Sequence, residues 1–444
     1  MRCRAWRWSS HRQPRRRGSR GCRDARSEGT HVAPTLRRRP CDAASHGGTA
    51  SRSRRATLGT RQGPRARDLG ISIGELPSGP LDAITDVAGV RVGHTTLISG
   101  DGPLLVGRGP VRTGVTIIVP HDGPPSEAVY GGCHRLNGNG ELTGLEWLRE
   151  SGMLSSPISI TNTHSVGVVR DAIVAASARG RVAGEVHWSL PVVGETYDGR
   201  LNDMDGQHVR PEHVFAALEA ASGGPVEEGN VGGGTGMICH EFKGGIGTAS
   251  RVVSESAGGF TVGALVQANH GRRERMAVDG VPVGRLIGID QVPSAWDDAP
   301  TQQHGGSHPP GSGSIIVILA TDAPLLPHQC ERLAQRAGLG VARAGGAGEH
   351  SSGDMFLAFA TGNRGLSADL EEAAPLTTRV DTLADRHMSD LFWAAIEATE
   401  EAILNAMLAA ETMVGRDGRT AHALPQERLL EVLAAYRPTP GASV

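Results

Sequence analysis

The chain has 444 residues, of which 38% are hydrophobic and only 3% aromatic, so it can bury a large core but offers few aromatic side chains to line a binding surface. The net charge of −2 hides an asymmetry, because residues 1–67 carry about nineteen arginines against three acidic residues, which leaves the rest of the chain acidic. The sequence has no run of about eighteen apolar residues, so it predicts no transmembrane helix. The six cysteines lack C-x-x-C spacing, which argues against a disulfide scaffold or structural zinc. We expect a cytoplasmic protein without membrane, nucleic-acid, metal or cofactor partners.

Residues 1–65 form an arginine- and serine-rich segment without apolar periodicity, which predicts a disordered tail. The segment has no apolar core of about 7–15 residues and so does not resemble a secretory signal. It could be an organellar presequence, an RNA-binding arm or translated upstream sequence of a GC-rich gene. We favour the last interpretation, because Lys243 is the only lysine among 45 basic residues. Residues 66–444 are then expected to form a single domain.

The first half of this domain alternates between strand-like and helix-like stretches. Apolar runs predict strands over 89–98 and 114–120, and a 3.6-residue periodicity predicts a helix over 165–180. Pro211 near its start and a glycine pair after its end predict a second helix over 210–224. The run GNVGGGTGM (229–237) lacks the Lys-Ser/Thr of a phosphate-binding loop, and strand-like residues follow it. We therefore interpret it as a site of tight backbone packing.

The second half begins with two strands, GTASRVV and 259–271, whose spacing predicts an antiparallel hairpin. Residues 294–313 are rich in Pro, Gly, Ser, Gln and His and form the longest predicted loop. Further strands are predicted at 314–320 and 353–361, and helices at 327–338, 384–412 and 425–436. Hairpin strands flanked by amphipathic helices predict a layered α/β fold with antiparallel sheets.

The boundary HPPGSGSIIVILATDAPLLP (308–327) joins a flexible segment directly to a strongly apolar, β-branched strand. One interpretation is a linker that ends where a core strand begins. The other is that the chain is cut at the boundary, so that Ser314 becomes a new N-terminus held on a stiff strand. The residues at this boundary alone leave both interpretations open.

Familiar catalytic and metal-binding motifs do not occur in the chain. Histidines 134, 164, 240 and 270 each stand singly near predicted loops, without an H-E-x-x-H pattern. The G-x-S-x-G motif of a nucleophile elbow is also missing. What remains is a set of polar residues near strand ends, each of which alone could equally be a turn or capping residue: Glu195, Tyr197, Asn269, Ser352 and Asp354.

Taken together, eight segments resemble the L-aminopeptidase/D-esterase family, which includes the β-peptidyl aminopeptidases. They occur in order over about residues 65–440 and read RARDLGI, ITDVAGVRVGHTTLI, NGNGELTGLEW, GNVGGGTGM, FKGGIGTASRVV, VQANHG, SIIVILATDAPLLPHQ and HSSGD. So many long matches are far more specific than any single glycine-rich run. The resemblance implies an αββα sandwich similar to that of the N-terminal-nucleophile hydrolases, and a chain that cuts itself before a serine.

The resemblance also implies a role for each candidate residue. It places the cut between Gly313 and Ser314, giving an α chain (66–313) and a β chain (314–444) of one catalytic domain. It further implies an oxyanion hole at Asn269, Tyr197 beside the nucleophile, Glu195 at the substrate's amino group, and a supporting pair, Ser352 and Asp354. At the last position the relatives use Glu, whereas this chain has the shorter Asp.

The implied chemistry is acyl transfer to Ser314. A serine hydroxyl needs a base within hydrogen-bond reach, and a freed N-terminal amine, with a pKa of about 8, can serve as that base. The implied substrates are small peptides, amides or esters with a free amine, handled by a homo-oligomer of αβ units, a homotetramer by resemblance. Two alternatives are an ornithine acetyltransferase-like enzyme, whose relatives cut before Thr, and an RNA-binding protein acting through the arginine-rich tail.

Overall fold

The computed structural model describes residues 63–124, 126–179, 188–296, 311–367 and 376–436. The predicted tail lies outside these ranges except for its last three residues, and so do residues 297–310 of the predicted loop. The strands, in chain order, are β1 (Arg91–Ser99), β2 (Val111–Val119), β3 (Glu127–Arg135), β4 (Met153–Leu154), β5 (Ile158–Asn162), β6 (Val192–Thr196), β7 (Ile238–Cys239), β8 (Phe242–Lys243), β9 (Gly245–Val252), β10 (Thr261–Gly271), β11 (Gly311–Thr321), β12 (Gly353–Ala360), β13 (Leu366–Ser367), β14 (Met413–Val414) and β15 (Thr420–Ala421). The α-helices are α1 (Leu145–Ser151), α2 (Val166–Ala178), α3 (Pro211–Ala220), α4 (Val283–Leu286), α5 (Pro327–Arg343), α6 (Met388–Leu408) and α7 (Gln426–Tyr436).

Two main sheets carry the fold. The first sheet has four strands in the order β1-β2-β5-β6, and the second has the order β13-β3-β12-β11-β10-β9, with β4 paired to β3. Most neighbours are antiparallel, and the predicted hairpin is confirmed by the pairing of β9 with β10. Each sheet also contains one parallel pair, β5–β6 and β11–β12, connected by α2 and α5 respectively. A parallel pair needs such a crossover helix, because a tight turn can join only antiparallel strands.

Three apolar clusters show that the sheets and helices form four layers. One cluster lies between the sheets and joins Ile160 of β5 to Leu265 and Ile316 of the second sheet. A second cluster packs the outer face of the second sheet against α5 and α6. The third packs the first sheet against α2 and α3, where Val169 and Ile173 are buried as the helical periodicity predicts. The αββα sandwich is therefore confirmed.

The glycine run is explained by close packing between the two sheets. A Cβ on Gly233 would lie 2.1 Å from Gln267 Oε1 of the second sheet and 2.7 Å from Ile160 O of the first. A Cβ on Gly234 would lie 2.3 Å from Ile246 N. Real Cβ atoms do not approach other atoms so closely, so these positions require glycine.

Helix α6 is shorter than predicted, spanning Met388–Leu408 rather than 384–412, and it is buried on nearly all sides. Its buried carboxylates pair with arginines of neighbouring elements: Arg251 Nε lies 3.1 Å from Glu397 Oε2, and Arg251 Nη2 lies 2.5 Å from Glu401 Oε2. Buried charges need such partners, because an unpaired one is costly. Among the described residues, no helix is both long and apolar enough to cross a bilayer.

The ordered body begins before residue 66, because Arg65 belongs to it. Arg65 is 3% exposed, and its guanidinium forms ion pairs with Asp82 (3.2 Å) and Glu228 (2.7 Å). The sequence assigned this arginine to the tail, since an isolated Arg among many others carries no sign of burial. The boundary therefore lies on the N-terminal side of Arg65.

Replacing Arg65 with alanine is expected to lower the free energy of unfolding by about 3 kcal/mol, since Glu228 and Asp82 would each lose a close cation. The loss is not larger because Arg67 and Arg251 remain near Asp82. The matched deletion of residues 1–62 keeps Arg65 and should leave stability unchanged. Urea unfolding followed by circular dichroism measures both. Equal stability of Arg65→Ala and the parent chain would show that the ion pairs contribute nothing.

Candidate active site

Ser314 lies near the start of β11, between β10, which carries Asn269, and β12, which carries Asp354. It pairs with Asn269 of β10 on one side and with Gly353 of β12 on the other. Alternate residues of a strand face opposite sides, so Ser314 faces the same way as Ile316 and Ile318, toward the first sheet. The side chain is buried, and its Oγ accepts a hydrogen bond from Gly353 N at 3.0 Å.

The peptide bond before Ser314 lies at a break in strand register. Asn269 pairs with Ser314 but Gly271 pairs with Gly311, so β11 has one extra residue at this point, as in a β-bulge. A Cβ on Gly313 would lie 1.9 Å from Asn269 O, so only glycine fits there. The predicted flexible loop therefore ends earlier than residue 313, because Gly311 already pairs with Gly271 of β10.

The side-chain amide of Asn269 is fixed at both ends. Its Oδ1 accepts a hydrogen bond from Ile238 N at 2.7 Å, and its Nδ2 donates to Tyr197 O at 3.0 Å. An amide nitrogen carries two hydrogens, so one remains for a further acceptor beside Ser314. The orientation that the two main-chain partners impose is what a preorganised oxyanion donor requires.

Tyr197 joins this group through its backbone carbonyl. Its phenol packs over Gly199, where a Cβ would lie 2.7 Å from the hydroxyl oxygen. Burial raises the pKa of Tyr197, so the phenol is protonated at neutral pH. The structure thus links Tyr197 to Asn269 by the main chain and leaves its hydroxyl protonated.

Ser352 and Asp354 lie at the start of β12, directly beside Ser314. Ser352 Oγ donates a hydrogen bond to Asp354 Oδ1 at 2.5 Å. Asp354 Oδ1 also accepts a hydrogen bond from Ile315 N at 3.2 Å. Burial raises the pKa of Asp354. Asp354 therefore reaches both its serine partner and the backbone N–H of Ile315, the residue after Ser314.

Glu195 is the second-last residue of β6, in the first sheet. Its Oε1 accepts from Glu141 N at 3.0 Å, and its Oε2 accepts from Thr163 Oγ1. A Cβ on Gly140 would lie 2.9 Å from Glu195 Oε1 and 3.3 Å from Gly353 Cα. Gly140 therefore lies between the carboxylate of Glu195 and Gly353, whose N–H donates to Ser314. Burial raises the pKa of Glu195 above the usual 4.5.

Sequence reasoning missed three residues that hold these groups in place. Thr163 donates to Glu195, Gly140 separates it from Gly353, and Asn137 Oδ1 accepts from Asp354 N at 2.6 Å. Asn137 and Gly140 belong to the segment NGNGELTGLEW, which contributed to the family resemblance but was given no role. The alternation of asparagine and glycine over residues 137–140 was the sequence feature that could have pointed to them.

Two of the histidines do not stand singly, contrary to the sequence-based interpretation. The rings of His240 and His270 lie 5.1 Å apart, and Cys239 Sγ lies 3.8 Å from His270 Nδ1. The turn between β7 and β8 brings these residues together across a separation of about thirty positions, which no local motif reveals. They are the described residues best suited to hold a metal ion.

Comparisons with known proteins show the family and the fold. The model of peptidase family S58 matches residues 82–421. The chain is 48% identical over 382 residues to "Beta-peptidyl aminopeptidase BapA" of Sphingosinicella microcystinivorans, covering 86% of this chain and 95% of that protein.

Two solved structures share the fold. The Burkholderia sp. beta-aminopeptidase superposes with a TM-score of 0.76 at 54% identity, over 84% of this chain and 100% of that one. The L-aminopeptidase D-Ala-esterase/amidase of Ochrobactrum anthropi, described as a variant of the Ntn hydrolase fold, superposes with a TM-score of 0.73 at 44% identity, over 84% and 99%.

Proposed function

We propose that this chain, which belongs to peptidase family S58, is a self-processing serine aminopeptidase that releases N-terminal residues from small peptides, amides or esters. The observation that carries the proposal is Ser314 on a central strand, flanked by the fixed amide of Asn269 and by the Ser352–Asp354 pair. Substrates include β-amino acyl peptides, because relatives at 48% and 54% identity are named for them. Turnover of β-alanyl and L-alanyl p-nitroanilides tests this directly.

Maturation uses the same hydroxyl as turnover. Ser314 Oγ attacks the Gly313 carbonyl carbon, the C–N bond breaks, and the Gly313 acyl group moves to oxygen as an ester. Water hydrolyses the ester, which leaves a carboxylate on Gly313 and a free amine on Ser314. The bulge at this bond supports the proposal, since it takes Gly313 out of the regular ladder between β10 and β11.

In turnover, the freed amine takes the proton of Ser314 Oγ as this oxygen attacks the substrate carbonyl. The second hydrogen of Asn269 Nδ2 stabilises the oxyanion. The first hydrogen is donated to the backbone carbonyl of Tyr197, which thereby orients the amide. The acceptor Oδ1 of Asp354 holds Ser352 and Ile315 N, and so positions the nucleophile. The substrate's C–N or C–O bond then breaks, the departing amine or alcohol takes the proton back from the Ser314 amine, and water releases the acyl group from Ser314.

Glu195 is assigned to the substrate ammonium group, because it is a buried carboxylate on the facing sheet and only one glycine separates it from Gly353. A charge-assisted hydrogen bond contributes about 1.5–3 kcal/mol, so Glu195→Gln should lower kcat/KM about ten- to a hundredfold. Because burial raises the pKa of Glu195, the parent enzyme should lose activity as pH falls through a value above the usual 4.5, and the Gln variant should not show this ionisation.

Two controls accompany this variant. Self-cleavage should survive Glu195→Gln, because the precursor has no free amine at its scissile bond. An N-acetylated substrate should be turned over poorly by parent and variant alike. Fast turnover of acetylated substrates, or loss of processing together with activity, would reduce Glu195 to a structural residue.

An assay for acetyl transfer to an amino-acid acceptor distinguishes an ornithine acetyltransferase-like enzyme from an aminopeptidase. We expect this assay to be negative. RNA binding through the tail is tested by deleting residues 1–62, which should leave peptidase activity intact. We place the protein in the cytoplasm as a homo-oligomer of αβ units, a homotetramer by resemblance. Exposed apolar side chains such as Leu105 and Val106 support assembly, and light scattering measures it.

A further inference from the structure

We propose that Cys239, His240 and His270 form a binding site for a soft metal ion, with zinc as the preferred ion, on the face of β10 that points away from Ser314. The side chains of Asn269 and His270 are adjacent on the strand and face opposite sides of the sheet. His270 accordingly packs toward the end of α5, where a Cβ on Gly346 would lie 3.0 Å from His270 Cδ2. The site is therefore separate from the nucleophile.

The three residues offer the ligand types and the spacing that zinc requires. All three are buried, and one ligand atom from each lies within 4.8 Å of the others. Zinc holds thiolate sulfur at about 2.3 Å and imidazole nitrogen at about 2.0–2.1 Å, so tetrahedral ligands lie about 3.3–3.8 Å apart. Cys239 Sγ and His270 Nδ1, at 3.8 Å, already meet that separation.

The hydrogen bonds of His240 leave a nitrogen prepared for coordination. Its Nδ1 lies 3.1 Å from Arg272 O, and a carbonyl can only accept, so Nδ1 carries the proton and Nε2 carries the free lone pair. A histidine that ligates a metal commonly donates its other N–H to such a carbonyl. His240 Nε2 is buried without a hydrogen-bond partner.

His270 faces the thiol through its other nitrogen. Its Nδ1 lies 3.8 Å from Cys239 Sγ, so Nδ1 is the atom that would bind the metal and Nε2 would carry the proton. Leaving a buried polar atom unpaired is destabilising, so the unpaired Nε2 of His240, in a cluster with a thiol and a second imidazole, needs an explanation. A metal ion that takes up this lone pair supplies it.

His240 also lines a small cleft, whose wall includes Met276, Met407 and Glu400. Thiolate and thioether groups favour zinc and copper(I) over calcium or magnesium. On binding, the Cys239 S–H bond breaks, its proton passes to solvent, and the thiolate sulfur binds the metal.

The test uses the full chain stripped of metal with a chelator and titrated anaerobically with cobalt(II), which serves as a coloured probe for zinc. We expect one equivalent to bind with a thiolate-to-cobalt charge-transfer band, and zinc to displace it. Cys239→Ser should abolish the band. Cys330→Ser is the matched control, because this cysteine is equally buried but its Sγ faces the carbonyl of Tyr130 at 3.8 Å, and it should keep the band.

X-ray absorption of the zinc-loaded parent protein keeps the proposal testable if the Cys239 variant fails to fold. One sulfur and two imidazole nitrogens in the zinc shell would support the site. Absence of bound metal after dialysis, a shell without sulfur, or an unchanged band in Cys239→Ser would overturn it.

Discussion

Replacing Ser314 with alanine is expected to leave an uncut chain with at least about 10⁴-fold less peptidase activity, because one oxygen performs both maturation and turnover. Neither the freed amine nor the nucleophile exists in such a protein. The overall fold should survive, since the substitution keeps the backbone pairing of β11 and removes a hydroxyl that accepts a hydrogen bond from Gly353 N. Denaturing electrophoresis and hydrolysis of an amino-acid p-nitroanilide measure the two effects on one preparation.

Two further serine variants sharpen this test. Ser314→Cys should still cut, at least slowly, because a thiol can carry out the corresponding acyl shift. Ser254→Ala removes a hydroxyl from an exposed turn, where it contacts Ser256 at 3.0 Å, and should be cut and fully active. Activity in the Ser314→Ala protein would remove Ser314 from the mechanism.

Changing Asn269 to aspartate is expected to lower kcat about 10²–10³-fold with a smaller effect on KM, because the variant loses the donor to the oxyanion. The new carboxylate can still accept the hydrogen bond from Ile238 N, so the local backbone keeps one of its two partners. Processing should slow as well, since the proposed cleavage uses the same donor to stabilise the oxyanion of the Gly313 carbonyl. Activity is therefore to be expressed per cut chain.

Asn230 offers a matched control for this substitution. Its side-chain amide also donates to a backbone carbonyl, that of Glu411 at 2.8 Å, but it lies outside the site. Asn230→Asp should leave kcat unchanged. If Asn269→Asp retains normal kcat per cut chain, the oxyanion donor is another group.

The layered fold could be predicted from local patterns. Apolar periodicity places Val169 and Ile173 on the buried face of α2, and the β9–β10 hairpin follows from two apolar runs with a glycine-rich turn. The boundaries shifted where long-range pairing extends a strand, as at Gly311, which pairs with Gly271. The burial of Arg65 was hidden for a related reason, since its partners Asp82 and Glu228 are distant in sequence.

The site is less accessible to local reasoning. Asn269, Ser352 and Asp354 stand near strand ends, which makes them candidates, but strand ends are rich in such residues and only the family resemblance selects them. The contacts of Glu195 with Thr163 and of Gly140 with Gly353 join segments that are distant in the sequence, and no periodicity encodes them. Their roles depend on which strands become neighbours.

The most direct test of the account is intact mass spectrometry of the active, purified protein, combined with N-terminal sequencing of the smaller polypeptide. We expect two polypeptides, the smaller of which begins Ser314-Ile315-Ile316, and an aminopeptidase activity that rises in proportion to the fraction of cut chains. A single uncut polypeptide with full aminopeptidase activity would contradict it, because the proposed general base would then not exist.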